Sequence, residues 1–60
     1  MSKIEIYQAR PSQDGDWRWR LVASNRKIVA QGEGYLRRAG AIRGAQAMQR
    51  AAALAVLKLL

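Results

Sequence analysis

The chain has 60 residues, with eleven Lys and Arg against four Asp and Glu, and a net charge of +7. A chain of this length forms one domain at most and buries only about 60% of its unfolded surface, so such domains usually need a disulfide, a metal or a partner subunit. The sequence contains neither Cys nor His, which excludes disulfides and the usual zinc sites. Of the three ways in which small domains gain stability, oligomerisation is the one that remains.

The excess of positive charge favours polyanionic partners such as nucleic acid, anionic lipid or an acidic protein surface. The first six residues lack the long apolar core of a signal peptide. The apolar run at 51–60 has about half of the ~20 residues that are needed to cross a bilayer. We therefore expect a soluble, cytoplasmic protein without a membrane span.

The first half of the chain predicts an antiparallel meander of three strands. Trp17, Trp19 and Leu21 alternate with two arginines, and this period of two is typical of a half-buried strand. The pair Asn25-Arg26 after this segment predicts a two-residue hairpin turn. The predicted strands cover residues 3–9, 17–23 and 27–33, with a loop at 10–15 between the first two.

The hairpin turn predicts a register in which the two faces of the sheet differ. It places Trp19 opposite Gly32, where an indole can cover the bare backbone of the strand, and Val22 opposite Val29. A shift by one residue would expose both tryptophans, so the register is strongly specified. The predicted core face holds Ile4, Ile6, Trp17, Trp19, Leu21, Ile28 and Ala30, with Leu21 opposite Ala30. The other face holds the cross-strand sets Tyr7–Arg18–Glu33 and Glu5–Arg20–Gln31.

Residues 37–52 predict one amphipathic helix, because Ala and Gln are frequent and apolar residues recur every three or four positions. Gly40 and Gly44 lie inside it, and each costs roughly 1 kcal/mol relative to Ala. Two such costs in one helix indicate that a neighbouring group packs very close to the helix backbone. The apolar side is predicted to hold Ala41, Ala45, Met48 and Ala52, with Arg43 and Arg50 on the opposite side.

The last ten residues are apolar except for Lys58 and do not continue this pattern. If they were helical, Leu54 and Leu57 would lie on the side of the arginines. Sixty residues are too few to cover such a tail, so we expect a second copy of the chain to bury it. The predicted core and dimer interface comprises Trp17, Trp19, Leu21, Ile28, Met48, Leu54, Val56, Leu57 and Leu59.

Several stretches together resemble a known family. They are Glu5-Ile6-Tyr7, Gly15-Asp16-Trp17-Arg18-Trp19-Arg20-Leu21, Asn25, Ile28-Val29-Ala30, Gly32-Glu33-Gly34-Tyr35, and Gly44 six residues before Arg50. This combination, which covers most of the chain, is similar to the YegP-like family of small domains of unknown function. The resemblance implies a three-stranded meander, a helix and a short final strand. It also implies that members with one repeat are homodimers that exchange this strand, while others carry two repeats.

The chain departs from the pattern of that family in three places. Arg26 stands where a glycine usually follows Asn25, Arg37-Arg38 stands where a Ser-Lys pair opens the helix, and residues 51–53 replace Asn-Ala-Pro. Without that proline the helix could continue to the last residue, but we favour a short strand at 56–59. The predicted fold class is α+β, in a single domain over 1–60, with a three-stranded antiparallel meander, one helix and a short C-terminal strand exchanged in a homodimer.

Catalytic chemistry has little support in the sequence. There is no His, Cys or Thr, and only four carboxylates could activate a nucleophile. Asp14-Gly15-Asp16 offers too few oxygens for Ca²⁺ and predicts an ordinary turn. Gly32-Glu33-Gly34 lacks the third glycine of a phosphate-binding fingerprint and predicts a bend that leaves the sheet. We expect a non-enzymatic protein without a metal or cofactor.

Arginines without a predicted carboxylate partner indicate the candidate binding site, and Arg10 is expected to be among them. Each positive charge at a helix N-terminus interacts unfavourably with the helix dipole, at a cost of ~0.3–1 kcal/mol. An anion bound at Arg37 and Arg38 would relieve this repulsion. A solvated basic face is the simpler alternative. The candidate residues for nucleic acid or another anion are Arg37, Arg38, Arg43, Arg50, Arg26 and Lys27.

The predicted function is therefore a small basic dimeric binding or interaction module. Its partner would be nucleic acid, another polyanion or an acidic protein. The alternative is a purely structural domain, or an accessory domain that recognises another protein through the shared sheet of the dimer.

Overall fold

The computed structural model describes residues 1–10 and 14–60, and it shows three antiparallel strands followed by one helix. This confirms the predicted α+β fold. The strand order in the sheet is β1-β2-β3. Residues 11–13 of the predicted loop lie outside the described residues. The elements are β1 at Lys3–Gln8, β2 at Trp17–Val22, β3 at Ile28–Tyr35 and the helix α1 at Arg38–Leu54.

The register of the sheet is confirmed at most of the predicted positions. Glu5 of β1 lies opposite Arg20 of β2, so the charged residues of neighbouring strands meet on one face. On the other face, Trp19 lies opposite Gly32, where the missing side chain leaves room for the indole. The other confirmed pairs are Tyr7 with Arg18, Arg20 with Gln31, and Leu21 with Ala30.

The hairpin between β2 and β3 has a three-residue loop, Ser24 to Arg26. The carbonyl of Ala23 accepts a hydrogen bond from the N–H of Arg26 at 2.8 Å, and the N–H of Ala23 donates to the carbonyl of Lys27 at 2.8 Å. Arg26 has a φ of 70°, which is the left-handed position that closes a three-residue hairpin loop. The predicted two-residue turn at Asn25-Arg26 is therefore wrong.

The longer loop shifts the register at the start of β3. Val22 pairs with Ile28 and not with the predicted Val29, and an irregularity lies between Leu21 and Val22. Ile28 consequently shares a face with Val22 and is 52% exposed. The prediction that Ile28 belongs to the core face is wrong for the single chain, while its place in a dimer stays a prediction.

A second irregularity lies between Trp17 and Trp19, where Glu33 and Gly34 of β3 stand against the single residue Arg18 of β2, so that β3 has one extra residue. Gly34 has a φ of 86° at this point, a conformation that favours glycine. Because the bulge absorbs the extra length, β3 continues to Tyr35, which pairs with Trp17. The predicted bend that leaves the sheet at Gly32-Glu33-Gly34 is therefore wrong.

The core is small and centres on Trp19, which is 6% exposed. Helix α1 packs against the face of the sheet that carries this indole, with Ala41 and Ala45 buried in the contact. Small side chains on the helix allow it to approach the sheet closely. The predicted core residues Trp17, Leu21 and Met48 are half-buried.

The chain after α1 is extended and uncovered. Ala55 has φ −71° and ψ 144° and ends the helix, so the helix neither stops at residue 52 nor continues to Leu60. Residues 55–60, which we call the C-terminal arm, form no strand within one copy of the described chain. Leu54 is 82% exposed, and Val56, Leu57 and Leu59 are each 88% exposed. The strand at 56–59 and its exchange stay predictions.

Candidate functional site

The outward side of α1 forms a basic surface. Arg43 and Arg50 are two helical turns apart, about 10 Å along the axis, and both are exposed. Arg37 and Arg38 at the start of the helix are also exposed. None of these four arginines makes an ion pair with any residue of the described part of the chain. We call them the helix arginines.

The N-terminus of α1 lacks the groups that usually cap a helix. Arg37 is the N-cap residue, its side chain makes no capping hydrogen bond, and the first turn contains no acidic residue. The N–H of Ala41 donates to the carbonyl of Arg37 at 3.2 Å, so the N–H groups of residues 38–40 precede the first bond of the helix. The positive end of the helix dipole therefore meets two arginines and no carboxylate.

The structure does not bring all six predicted cations into one site. Arg26 and Lys27 lie in and after the hairpin loop, at the start of β3, whereas Arg37 follows its end. Eight residues of strand separate the two groups, a distance of roughly 25 Å. Arg26 and Lys27 are exposed and also lack an ion pair among the described residues. Binding by any of the six stays a prediction.

The face of the sheet opposite α1, which we call the open face, carries most of the ion pairs. Nε–H of Arg20 donates to Oε1 of Glu5 at 2.7 Å, and Nζ of Lys3 lies 3.5 Å from Oε2. The guanidinium of Arg20 also stacks 4.6 Å from the ring centroid of Tyr7. The hydrogen bond from Arg20 lowers the pKa of Glu5, and the same bond raises the pKa of Arg20.

Asp16 organises a second group of charges. Its Oδ1 accepts a hydrogen bond from Nε–H of Arg18 at 3.1 Å, and its Oδ2 lies 3.7 Å from Nε of Arg10. Nη1 of Arg18 lies 3.7 Å from Glu33, which confirms the predicted proximity of those two. The hydrogen bond to Asp16 raises the pKa of Arg18. The prediction that Arg10 has no carboxylate partner is wrong.

The ion pair of Asp16 with Arg18 could have been predicted from the sequence, but the segment Asp14-Gly15-Asp16 was interpreted only as an ordinary turn. Asp16 stands two residues before Arg18, the separation that places side chains on one side of an extended chain. Its φ of 58° and that of Gly15, 83°, bend the backbone before β2.

Among the residues that the structure describes, no group of three acidic side chains could hold a metal ion, and α1 is too short and too polar to cross a membrane.

Two hollows on the open face are lined by described residues. One, with a volume of about 320 Å³, is lined by Tyr7, Arg18, Gln31, Gly32 and Glu33. The other has a volume of about 540 Å³ and lies beside the hairpin loop. The sequence did not predict the second hollow, because its floor depends on the shifted register that turns Ile28 outward.

Comparison with known proteins gives one family and two partial relatives. The family model described as Domain of unknown function (DUF1508) matches residues 12–58. UPF0339 protein NMB1088 from Neisseria meningitidis serogroup B and UPF0339 protein NMA1193/NMA1859 from N. meningitidis serogroup A are each 53% identical over 32 residues. The match covers 53% of this chain and 52% of each relative, so the chain spans about half the length of these relatives. No solved structure matches the chain.

Proposed function

Because the chain belongs to the DUF1508 or YegP-like family, whose function is unknown, we propose from its own surface that it is a small non-enzymatic module that binds nucleic acid or another polyanion through the helix arginines. The observation that carries the proposal is a separation of charge along the chain. All four carboxylates precede residue 36, while residues 36–60 contain five basic residues and no acidic one, namely Arg37, Arg38, Arg43, Arg50 and Lys58.

The sheet supports this proposal because its charges largely compensate each other. Glu5, Asp16 and Glu33 hold the basic residues of β1, β2 and the adjoining loop in ion pairs. The excess positive charge of the chain therefore lies on α1, the hairpin loop and the arm. A basic surface without carboxylates attracts phosphates and releases counterions when it binds them.

The uncapped helix start supports an anion at Arg37 and Arg38 in particular. The N–H groups of the first turn point towards that end, and the helix dipole adds positive potential to the two side chains. Phosphate oxygens there would accept hydrogen bonds from backbone and guanidinium groups together. These contacts recognise the backbone of a nucleic acid and are independent of its sequence.

We further propose that the module is a homodimer whose C-terminal arms are exchanged between two copies. Leu57, Leu59 and their neighbours are too exposed to remain in water at no cost, since burying one such side chain is worth about 1.5–3 kcal/mol. The extended dihedrals at Ala55 suit a strand. An arm of six residues would span about 20 Å, which equals the length of β1.

The edge of β1 is the better acceptor for the arm of a second copy. All six residues of β1 pair with β2 without an irregularity, so its outer edge presents an evenly spaced row of N–H and C=O groups. The edge of β3 is interrupted by two bulges, which disturb such a row. An exchange onto β1 would extend the sheet of each copy by one strand at this edge.

The binding proposal is tested by fluorescence anisotropy with labelled single-stranded DNA, duplex DNA and RNA at about 50 and about 200 mM salt. We expect binding that weakens with salt, by about −0.9 in the log–log slope for each duplex phosphate neutralised. Replacing Arg37 and Arg38 by Glu should abolish it. Arg10→Gln is the matched control, because Arg10 already faces Asp16. Absence of binding at low salt would overturn the proposal.

The dimer is tested separately by analytical ultracentrifugation. The double variant Leu57→Ser with Leu59→Ser should be monomeric, while Leu36→Ser should leave the dimer intact. Leu36 is the control because it is as exposed as Leu54 but lies outside the arm. A wild-type protein that is monomeric at all concentrations would overturn the exchange and leave the binding proposal standing.

A second candidate function is an accessory domain that recognises another protein through the sheet. It is favoured by the open face, which no other element covers in the described part of the chain. A protein that forms dimers but binds no nucleic acid would support this candidate over the first.

A further inference from the structure

The larger hollow of the open face lies where β1, β2 and β3 meet the hairpin loop. Its volume is about 540 Å³, within the ~300–1,000 Å³ range of ligand sites in proteins. It lies on the opposite side of the sheet from α1 and is therefore separate from the helix arginines. Its lining consists of Met1, Lys3, Glu5, Arg20, Val22, Ala23, Ser24, Arg26 and Ile28.

The floor of the hollow is aliphatic. Val22 and Ile28 are paired across β2 and β3, and the register shift at Val29 turns Ile28 to this side, where it is 52% exposed. The lining contains no aromatic ring, and nucleic-acid bases bind best on aromatic faces. The floor therefore suits an aliphatic side chain better than a base.

The rim of the hollow is cationic. Lys3, Arg20 and Arg26 stand against a single carboxylate, that of Glu5, so the lining carries three positive charges and one negative charge, a net +2. Glu5 already holds both Lys3 and Arg20. Arg26 makes no ion pair with any described residue, so its guanidinium can accept a further carboxylate.

We propose that this hollow binds an acidic segment of a partner protein, in which an aliphatic side chain rests on Val22 and Ile28 while a neighbouring carboxylate pairs with Arg26. Both chemical requirements come from the lining: an apolar floor and a rim whose positive charge exceeds its negative charge. The arm of a second copy does not meet them, because residues 55–60 carry a lysine and no acidic residue. The rim charges orient the segment, and the floor provides the buried apolar contact.

The test uses a fluorescein-labelled peptide of alternating Glu and Leu as the probe, in fluorescence anisotropy with the full chain. Arg26→Gly should weaken binding about tenfold, as expected for the loss of one hydrogen-bonded charge. Glu5→Gln should strengthen binding, because it removes the carboxylate that competes for Arg20 and Lys3. Peptides with Ser in place of Leu, or Lys in place of Glu, should bind weakly or not at all.

Lys27→Ser is the matched control. Lys27 is adjacent to Arg26, exposed and equally charged, but it does not line the hollow. If Lys27→Ser weakens peptide binding as much as Arg26→Gly, the attraction is general electrostatics and the proposal is overturned. Tight binding of the Ser-containing peptide would overturn the role of the floor.

The outcome is independent of the helix arginines. Arg43→Gln with Arg50→Gln should weaken nucleic-acid binding more than it weakens binding of the Glu-Leu peptide, whereas Arg26→Gly should have the opposite order of effects. Loss of stability cannot account for a weaker Arg26→Gly variant, because glycine suits the left-handed backbone at this position. The two binding proposals can therefore fail separately.

Discussion

The indole N–H of Trp19 donates a hydrogen bond to the hydroxyl of Tyr35 at 3.2 Å. This contact joins the middle strand of the sheet to the end of β3, and two glycines make room for it. A Cβ atom at Gly32 would overlap the indole of Trp19, and a Cβ atom at Gly44 of the helix would overlap the hydroxyl of Tyr35. The pair and its two glycines therefore determine how closely α1 approaches the sheet.

Replacing Tyr35 by Phe should destabilise the fold. The ring would still fill its place, but the largely buried indole N–H of Trp19 would lose its acceptor, at a cost of about 1–3 kcal/mol. Urea unfolding followed by tryptophan fluorescence measures this loss. Tyr7→Phe is the control, because Tyr7 lies on the open face and makes no contact with Trp19 through its hydroxyl; an equal loss in both variants would contradict the role of the bond.

Gly44→Ala and Gly40→Ala should change stability in opposite directions. Alanine is intrinsically the better helix former by roughly 1 kcal/mol, and at Gly40 the added Cβ would lie 3.7 Å from Cδ1 of Tyr35, an ordinary contact. At Gly44 it would displace the hydroxyl of Tyr35, and overpacking of this kind costs about 1–3 kcal/mol. Urea midpoints compare the two, and a rise for Gly44→Ala would show that Tyr35 moves aside freely.

Arg26→Gly should raise the stability of the fold. A residue with a Cβ atom at a φ of 70° is strained, by about 1–2 kcal/mol in the left-handed region. Arg26→Ala removes the same charge and keeps the Cβ atom, so it should bring no such gain. The comparison of their thermal midpoints separates backbone strain from charge, and equal midpoints would assign the effect to charge.

Stability should fall in acid partly through Glu5. Its pKa lies below its usual value of 4.5 because Arg20 donates a hydrogen bond to the carboxylate. The carboxylate therefore stabilises the folded state above pH 4.5, and this contribution disappears as the pH falls through the lowered pKa. Urea midpoints measured from neutral pH into acid should decrease less for Glu5→Gln than for the wild type. Asp14→Asn, at a carboxylate with no ion pair in the described chain, should follow the wild type.

The sequence predicted the middle of the sheet well because its pattern admits one register. The alternation around Trp19 and the bare backbone at Gly32 fit together in a single way, and the pairs Glu5–Arg20 and Tyr7–Arg18 follow from it. Prediction failed at the ends of β3, where the backbone leaves regular geometry. A left-handed residue at position 26 is compatible with a loop of two residues or of three, so the longer loop at Arg26 and the outward turn of Ile28 did not follow from the sequence.

The candidate site was predictable only in part, for a related reason. The basic side of α1 follows from helical periodicity, and the cost at Gly44 correctly indicated close packing, whereas at Gly40 a Cβ atom would make only an ordinary contact with Tyr35. The partner at Gly44, however, is Tyr35, which the bulge at Gly34 carries into the sheet. Contacts that depend on a bulge cannot be read from periodicity, because a bulge changes which face each later residue occupies.

The two bulges of β3 also bear on how the protein behaves in concentrated solution. Sheets whose two edge strands are both regular and unprotected can pair edge to edge without limit and aggregate. Here the edge at β3 is interrupted by bulges, which disfavour edge-to-edge pairing on that side. On that side, the apolar C-terminal arm of another copy would find no regular row of N–H and C=O groups to extend.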